Sequence, residues 1–238
     1  MKGKADDESK VVTLEVSGRR ITASVYGTGA CAIVLGPGAG GTRETPQLLR
    51  VAAALDPLRY TTVLFNFPYK EAGRSFPDAP AVLEETVATV AAFARAELRA
   101  QALVLGGRSM GGRIASQAAA KGLKCDGLAF LAYPLHPPGD VTKLRNAHLP
   151  AIRVPMLFLQ GTRDVFARLD LLEATVSGLG SHAELTLFPE ADHSFKTPRG
   201  AAASSKETEL RVRSRLAEWL EKLTAAQGAV EGADHAEP

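Results

Sequence analysis

Near its start the chain has two segments in which apolar and polar residues alternate, and later strand candidates are short runs that are mostly apolar throughout. The alternating segments, residues 11–16 and 20–26, flank Ser17-Gly18-Arg19 and predict an antiparallel hairpin at a sheet edge. The solid runs predict parallel strands with helices on both faces. They are residues 32–35, 62–65, 102–105, 128–132, 156–159 and 184–188.

Helical patterns separate these runs, and Pro46 after Thr45 suits the first position of the first helix. The predicted helices are residues 45–55, 81–98, 110–120, 169–179 and 206–223. A hairpin followed by strand–helix alternation predicts an α/β fold with a mostly parallel, doubly wound sheet of about 7–8 strands. We expect one domain over residues 10–223, with flexible tails at 1–9 and 224–238.

Composition and charge exclude several classes of partner. The chain has 238 residues with a net charge of +2, which indicates neither nucleic acid nor an anionic membrane. No run approaches the roughly 18 apolar residues of a membrane span, and no secretory signal is recognisable, so we expect a cytoplasmic location. Cys31 and Cys125 begin apolar runs, which favours reduced core thiols over a single disulfide.

The segment GRSMG, centred on Ser109, is the strongest chemical signal. It matches G-x-S-x-G between a predicted strand and a predicted helix, where a sharp turn presents the serine hydroxyl above the sheet. The flanking glycines avoid clashes with neighbouring backbone, and the helix N-terminus favours developing negative charge. We therefore predict that Ser109 is a nucleophile; the alternative is a glycine-rich turn without chemistry.

A serine needs a base to take its proton and an acid to orient that base. In this type of site the partners follow in the order serine, acid, histidine. Asp164 lies in QGTRD after the strand at 156–159, and His193 lies in ADHSF after the strand at 184–188. We predict Asp164 as the acid and His193 as the base, in preference to Asp170 and Asp192, which suit solvated carboxylates.

Catalysis by such a triad also needs hydrogen-bond donors for a tetrahedral oxyanion. Met110 follows the nucleophile, and its backbone N–H is one predicted donor. The glycine loop PGAGG follows the strand at 32–35, and the N–H of Ala39 is the second. A flexible glycine turn remains an alternative, whereas a phosphate-binding loop would need the G-K-[ST] ending that is missing here.

Together with the strand pattern, four segments resemble the α/β-hydrolase superfamily across residues 10–223. They are PGAGG, GRSMG, QGTRD and ADHSF. The segments FNFPYK, GGRSMGGR and YPLHPP resemble a dienelactone-hydrolase-related branch, which includes a testis-expressed hydrolase-like protein and a subunit of the NSL histone acetyltransferase complex. The resemblance implies hydrolysis of an ester, thioester or amide with no metal or organic cofactor, and it maps the triad onto Ser109, Asp164 and His193. Pro37 departs from the family, since many relatives have His-Gly at this point of the loop. Because some branch members act as complex subunits, an interaction module with weak activity is the alternative.

The site is expected to be open, because only about 20 residues at 133–155 separate the two strands between which such folds often insert a cap domain. A small-molecule ester is the expected substrate, and a monomer or homodimer the expected assembly. Arg108 and Arg113 flank the nucleophile; structural salt bridges are favoured over binding of an acidic substrate. Candidate pocket residues, placed by their positions in loops at the carboxyl edge, are Arg43, Tyr69, His136 and Phe166.

Overall fold

The architecture is an eight-stranded sheet in a computed structural model that describes residues 9–234. The strands are β1 Lys10–Val16, β2 Arg19–Tyr26, β3 Cys31–Gly36, β4 Tyr60–Phe65, β5 Ala102–Arg108, β6 Gly127–Leu131, β7 Met156–Gly161 and β8 Ala183–Phe188. Their spatial order is β1-β2-β4-β3-β5-β6-β7-β8. β1 and β2 form an antiparallel hairpin, β2 pairs antiparallel with β4, and all later pairings are parallel. The predicted mostly parallel sheet with an N-terminal hairpin is therefore confirmed.

Six helices cover the sheet on its two faces. They are α1 Pro46–Ala52, α2 Pro68–Glu71, α3 Pro80–Ala96, α4 Met110–Ala120, α5 Leu169–Gly178 and α6 Ser205–Asp234, with 3-10 turns at Leu149–Ala151 and Gly180–His182. Alternate residues of β3 enter opposite cores: Val34 belongs to the core that includes residues of α3, α4 and α5, whereas Ile33 belongs to the core that includes residues of α1 and α6. This alternation explains why the central strands are apolar on both faces.

Two helices differ from the sequence prediction. The short helix α2 follows β4 and was not predicted. α6 continues to Asp234 and so includes most of the predicted tail at 224–238, because alanine-rich sequence favours helix even without an apolar stripe. Residues 1–8 and 235–238, which complete the predicted tails, lie outside the described residues.

The order of the strands creates a crevice at the carboxyl edge of the sheet. From the central strand β3 the chain moves to β4 on one side and then returns to β5 on the other. The loops that leave β3 and β5 therefore diverge, and the gap between them is where ligands bind in open α/β sheets. Between β6 and β7 the chain contains only the 3-10 turn Leu149–Ala151, so no inserted domain covers this edge. Within residues 9–234, no helix has the length and apolar character needed to cross a bilayer.

Substituting Gly106 is expected to destabilise the sheet. A Cβ at this position of β5 would lie 2.0 Å from the carbonyl oxygen of Ala129 in β6. Gly106→Ala should lower the free energy of unfolding by about 3 kcal/mol or more, since two paired strands would have to separate. Gly178→Ala is the control, because nothing lies within 4 Å of the added methyl at the end of α5. Urea denaturation should give a much lower midpoint for Gly106→Ala alone, and equal midpoints would contradict the strand spacing.

Candidate active site

Three side chains from the ends of three parallel strands meet at the carboxyl edge of the sheet. Ser109 follows β5, Asp164 follows β7 and His193 follows β8. His193 Nε2 lies 2.8 Å from Ser109 Oγ, and His193 Nδ1 lies 2.6 Å from Asp164 Oδ2. Because an ionised carboxylate can only accept, Nδ1 donates to Asp164 and leaves Nε2 to accept the serine proton. The structure thus brings together all three predicted triad residues.

The serine occupies a strained turn, as the G-x-S-x-G pattern predicts. Ser109 has φ of 50° and ψ of −115°, and α4 begins at the next residue. Cβ atoms added at Gly107 or Gly111 would each lie 2.2 Å from the carbonyl oxygen of Gly36. Only glycine at both positions lets the turn rest directly on the backbone of β3. Such a conformation costs roughly 1–3 kcal/mol, which the surrounding packing must supply.

Asp164 is held as a fully hydrogen-bonded buried carboxylate. Its side chain has no exposed surface, and its Oδ1 accepts the backbone N–H of Phe166 at 2.8 Å. Its Oδ2 accepts from His193 and also from Gln160 Nε2, at 2.5 Å. Gln160 is a buried residue of β7 that sequence reasoning missed. A polar residue at the end of an otherwise apolar strand was the available signal.

Local hydrogen bonds shape the loop that carries His193, defined as residues 189–196 and called the base loop. Asp192 accepts the backbone N–H groups of Ser194 and Lys196, at 2.7 and 2.9 Å. Gln47 of α1 donates from Nε2 to the carbonyl oxygen of Ser194 at 2.7 Å. Asp192 therefore folds the loop, consistent with the choice of Asp164 as the acid.

The glycine loop after β3, residues 37–41 and called the oxyanion loop, lies against the nucleophile. A Cβ at Gly38 would lie 2.9 Å from Arg108 Nη1 and 3.5 Å from Ser109 Cβ. Within residues 9–234, the backbone N–H groups of Ala39 and Met110 donate to no protein acceptor. Both predicted oxyanion donors thus remain available for a ligand.

The four candidate pocket residues separate into one that borders the triad and three that brace loops. Phe166 borders it: the centroid of its ring lies 4.4 Å from that of His193. Tyr69 is fully buried, and its hydroxyl oxygen accepts the N–H of Gly40 at 3.0 Å, which supports the oxyanion loop. Burial raises the pKa of the Tyr69 phenol, so this acceptor stays neutral.

The polar groups of Arg43 and His136 are also engaged within the protein. Arg43 donates from Nη1 to Ser24 Oγ at 2.5 Å and pairs with Glu44 at 2.9 Å. His136 is buried; its Nε2 accepts the N–H of Arg168 at 2.8 Å, and its Nδ1 lies 2.8 Å from the carbonyl oxygen of Pro137. Neither ring nitrogen of His136 is free for a substrate, so His136 is corrected from a substrate contact to a structural support. The substrate role of the partly exposed Arg43 stays a prediction.

The favoured interpretation of Arg108 and Arg113, structural salt bridges, is wrong. In the part of the chain that the structure describes, neither guanidinium lies within 4.0 Å of a carboxylate oxygen. The guanidinium of Arg113 forms a hydrogen bond to the side chain of Gln117, with Nη1 3.3 Å from its Oε1. Arg108 donates to Ser194 Oγ at 2.9 Å, in the base loop.

Comparison with known proteins places this arrangement in a family. The family model described as the alpha/beta hydrolase domain matches residues 29–221. The chain belongs to the α/β-hydrolase family. The fold of this α/β hydrolase is similar to that of several solved structures, each at low sequence identity.

A dienelactone hydrolase from Anabaena variabilis has a TM-score of 0.73 and 20% identity, covering 90% of this chain and 97% of the other. An alpha-beta serine hydrolase homologue from Coxiella burnetii has a TM-score of 0.71 and 21% identity, covering 90% and 97%. A serine hydrolase without lid from Xanthomonas campestris has a TM-score of 0.68 and 22% identity, covering 90% and 95%. At these identities the likeness shows a shared fold.

The two cysteines of this α/β hydrolase are free and should be unreactive. Burial raises the pKa of both Cys31 and Cys125 to about 11. At pH 8 only about one thiol in a thousand is then ionised. Native protein should therefore release almost no chromophore from an aromatic disulfide reagent within minutes, whereas protein unfolded in guanidinium should show two thiols. Rapid reaction of the native protein would contradict this burial.

Proposed function

We propose that this α/β hydrolase is a serine hydrolase that cleaves a carboxylic ester, thioester or lactone through an acyl-enzyme. The observation that carries the proposal is the hydrogen-bonded chain from Asp164 through His193 to Ser109. A hydroxyl becomes an effective nucleophile only when a base lies within hydrogen-bond reach and is itself oriented by a third group. Both conditions are met at distances of 2.6 and 2.8 Å.

In the first half-reaction, Ser109 Oγ attacks the carbonyl carbon while His193 Nε2 takes the hydroxyl proton. Asp164 keeps the imidazole in the accepting tautomer and stabilises the imidazolium. The carbonyl oxygen gains negative charge, which the N–H groups of Ala39 and Met110 and the N-terminus of α4 stabilise. The intermediate collapses, the bond to the leaving oxygen or sulfur breaks, and His193 gives its proton to that group.

In the second half-reaction, water attacks the acyl carbon and His193 accepts a proton from it. Collapse of the new tetrahedral intermediate breaks the bond to Ser109 Oγ, which regains a proton from His193. The products are a carboxylic acid and a free serine. No external oxidant, reductant or metal enters this balance of bonds and protons.

The surroundings of the triad favour a small ester or lactone with an apolar acyl group. The partly exposed ring of Phe166 lies against His193, so apolar surface is available beside the base. No inserted domain covers this edge, which leaves room for substrates of varied shape. One structural neighbour is named a dienelactone hydrolase, which supports including lactones among the substrates tested.

We assign the chain to the dienelactone-hydrolase-related branch on the segments FNFPYK, GGRSMGGR and YPLHPP. With that branch we propose a cytoplasmic monomer or homodimer, without nucleic-acid or membrane partners. A second candidate is a hydrolase-fold interaction module or complex subunit with weak activity. Pro37, at the point where many relatives carry His-Gly, favours it, since an altered oxyanion loop would weaken catalysis.

A fluorophosphonate probe separates the two candidates because it traps an activated serine. The intact parent protein should gain the mass of one adduct, and Ser109→Ala and His193→Ala should gain none. Ser116→Ala is the matched control: Ser116 Oγ also lies 2.7 Å from a histidine, at His148 Nε2, but it is buried inside α4. This variant should be labelled like the parent.

Absence of an adduct on folded parent protein, verified by circular dichroism, would overturn the hydrolase proposal. A stable stoichiometric partner recovered from native lysate would then support the interaction module. An adduct that survives in Ser109→Ala would assign the nucleophile to another residue.

Asp164→Asn should lower kcat by about 10⁴-fold in protein that circular dichroism shows to be folded. An amide nitrogen facing His193 Nδ1 reverses the hydrogen bond, so Nε2 carries the proton and can no longer accept one from Ser109. Asp170→Asn is the isosteric control, because Asp170 pairs with Arg168 at 2.7 Å on the surface. Its turnover of an acyl nitrophenyl ester should stay within about twofold of the parent. Equal turnover in the two variants would remove Asp164 from the mechanism.

A further inference from the structure

Arg108 lies between the two loops that the proposed chemistry depends on. It is the residue before the nucleophile, at the end of β5. Its Nη2 donates to Ser194 Oγ at 2.9 Å and lies 3.4 Å from the carbonyl oxygen of His193, both in the base loop. Its Nη1 faces the oxyanion loop, where it would be 2.9 Å from a Cβ at Gly38. One guanidinium thus spans from the oxyanion loop to the base loop.

Among the described residues the charge of Arg108 has no dedicated counter-ion, although its side chain is partly buried. Its Nε is buried without a hydrogen-bond partner among the described residues. Burial lowers the pKa of the guanidinium, and Asp164 and Asp192 act in the opposite direction. Asp164 bonds to His193, and Asp192 caps the base loop, so neither carboxylate contacts Arg108.

The polar side chains of α1 and α6 near Arg108 do not neutralise the charge of its guanidinium either. Gln47, Glu209 and Arg213 line the same small cavity as its side chain. Glu209 forms an ion pair with Arg50, and Arg213 approaches the carbonyl oxygen of Arg50 at 3.5 Å. The one nearby carboxylate of α6 is therefore already paired.

We propose that Arg108 is a positioning residue that links the base loop to the oxyanion loop and supplies a fixed positive charge to the tetrahedral oxyanion. The proposal rests on the serine-hydrolase function proposed above. A buried, uncompensated cation is unfavourable in the resting protein. Its charge becomes favourable when negative charge develops on the neighbouring carbonyl oxygen, and such preorganised charge lowers the barrier without reorganisation.

Two observations favour this role over a substrate-binding or purely structural one. Nη2 already donates to Ser194 Oγ in the base loop, and Nη1 lies beside Gly38 in the oxyanion loop. Arg113 also lacks a paired carboxylate among the described residues, so what distinguishes Arg108 is its contact with both loops, whereas Arg113 contacts Gln117 in its own helix.

The test compares Arg108→Gln, Arg108→Lys and the control Arg113→Gln. Arg113 is also a half-buried arginine next to the nucleophile, but it contacts Gln117 in its own helix and not the two loops. With an acyl nitrophenyl ester, Arg108→Gln should lower kcat by roughly 30- to 100-fold, with KM changing less than about threefold. Arg108→Lys should recover most of that loss because it keeps the charge, and Arg113→Gln should match the parent.

A second readout needs no turnover. The midpoint at which His193 takes up a proton, followed by NMR of the resting enzyme, should rise by roughly 0.5–1 pH unit in Arg108→Gln, because a nearby positive charge has been removed. Arg108→Lys and Arg113→Gln should leave the midpoint in place. The acidic limb of the pH–rate profile should likewise move to higher pH in Arg108→Gln and stay in place in the other two variants.

The outcomes distinguish this proposal from the function on which it rests. If the parent gives no fluorophosphonate adduct, the hydrolase function fails. Independently of that result, an unmoved His193 midpoint in Arg108→Gln overturns the proposed electrostatic role of Arg108. If the parent is active, a kcat of Arg108→Gln within threefold of the parent overturns the proposal. Equal losses in Arg108→Gln and Arg108→Lys with an unmoved midpoint would reduce Arg108 to a packing residue.

Discussion

The close approach of the nucleophile turn to the backbone of β3 is the contact on which the rest of the site depends. Gly107 and Gly111 both face the carbonyl oxygen of Gly36 at a distance that excludes any side chain. This approach holds Ser109 in a left-handed conformation and starts α4 at the next residue. The same approach brings the loop after β3 onto the nucleophile. The strain of one residue is therefore maintained by the pairing of two central strands.

The two charged side chains beside His193, Asp164 and Arg108, differ in how many of their polar atoms have hydrogen-bond partners. Asp164 accepts three hydrogen bonds, from His193, Gln160 and Phe166, so both oxygens of this buried carboxylate have partners. Arg108 differs, because within residues 9–234 its Nε has no hydrogen-bond partner and its guanidinium no paired carboxylate. In the resting state the protein stabilises the charge of Asp164. The charge of Arg108 is proposed to act on the oxyanion that forms during the reaction.

Several side chains that face the loops act through backbone support. Tyr69 holds the oxyanion loop by accepting the N–H of Gly40, and Gln47 holds the base loop through the carbonyl oxygen of Ser194. Loops at the carboxyl edge of a sheet would otherwise be mobile, and catalytic geometry tolerates little displacement. The bracing comes from α1 and α2, which are not adjacent in sequence to either strand end that carries the acid or the base.

The sequence by itself determined the strand–helix alternation, the hairpin, and the positions of Ser109, Asp164 and His193. These features depend on local periodicity and on glycine at fixed spacing, and the order of the parallel strands brings their carboxyl ends to one edge. Tertiary structure alone decided the roles of Gln160, Arg108 and the residues first assigned to the pocket. Their partners lie far away in the chain, and a long polar side chain bonds to whichever group the packing brings within about 3 Å. The hydrogen-bonding groups of a loop residue can therefore be named from sequence, but only the folded chain determines which of them remain free.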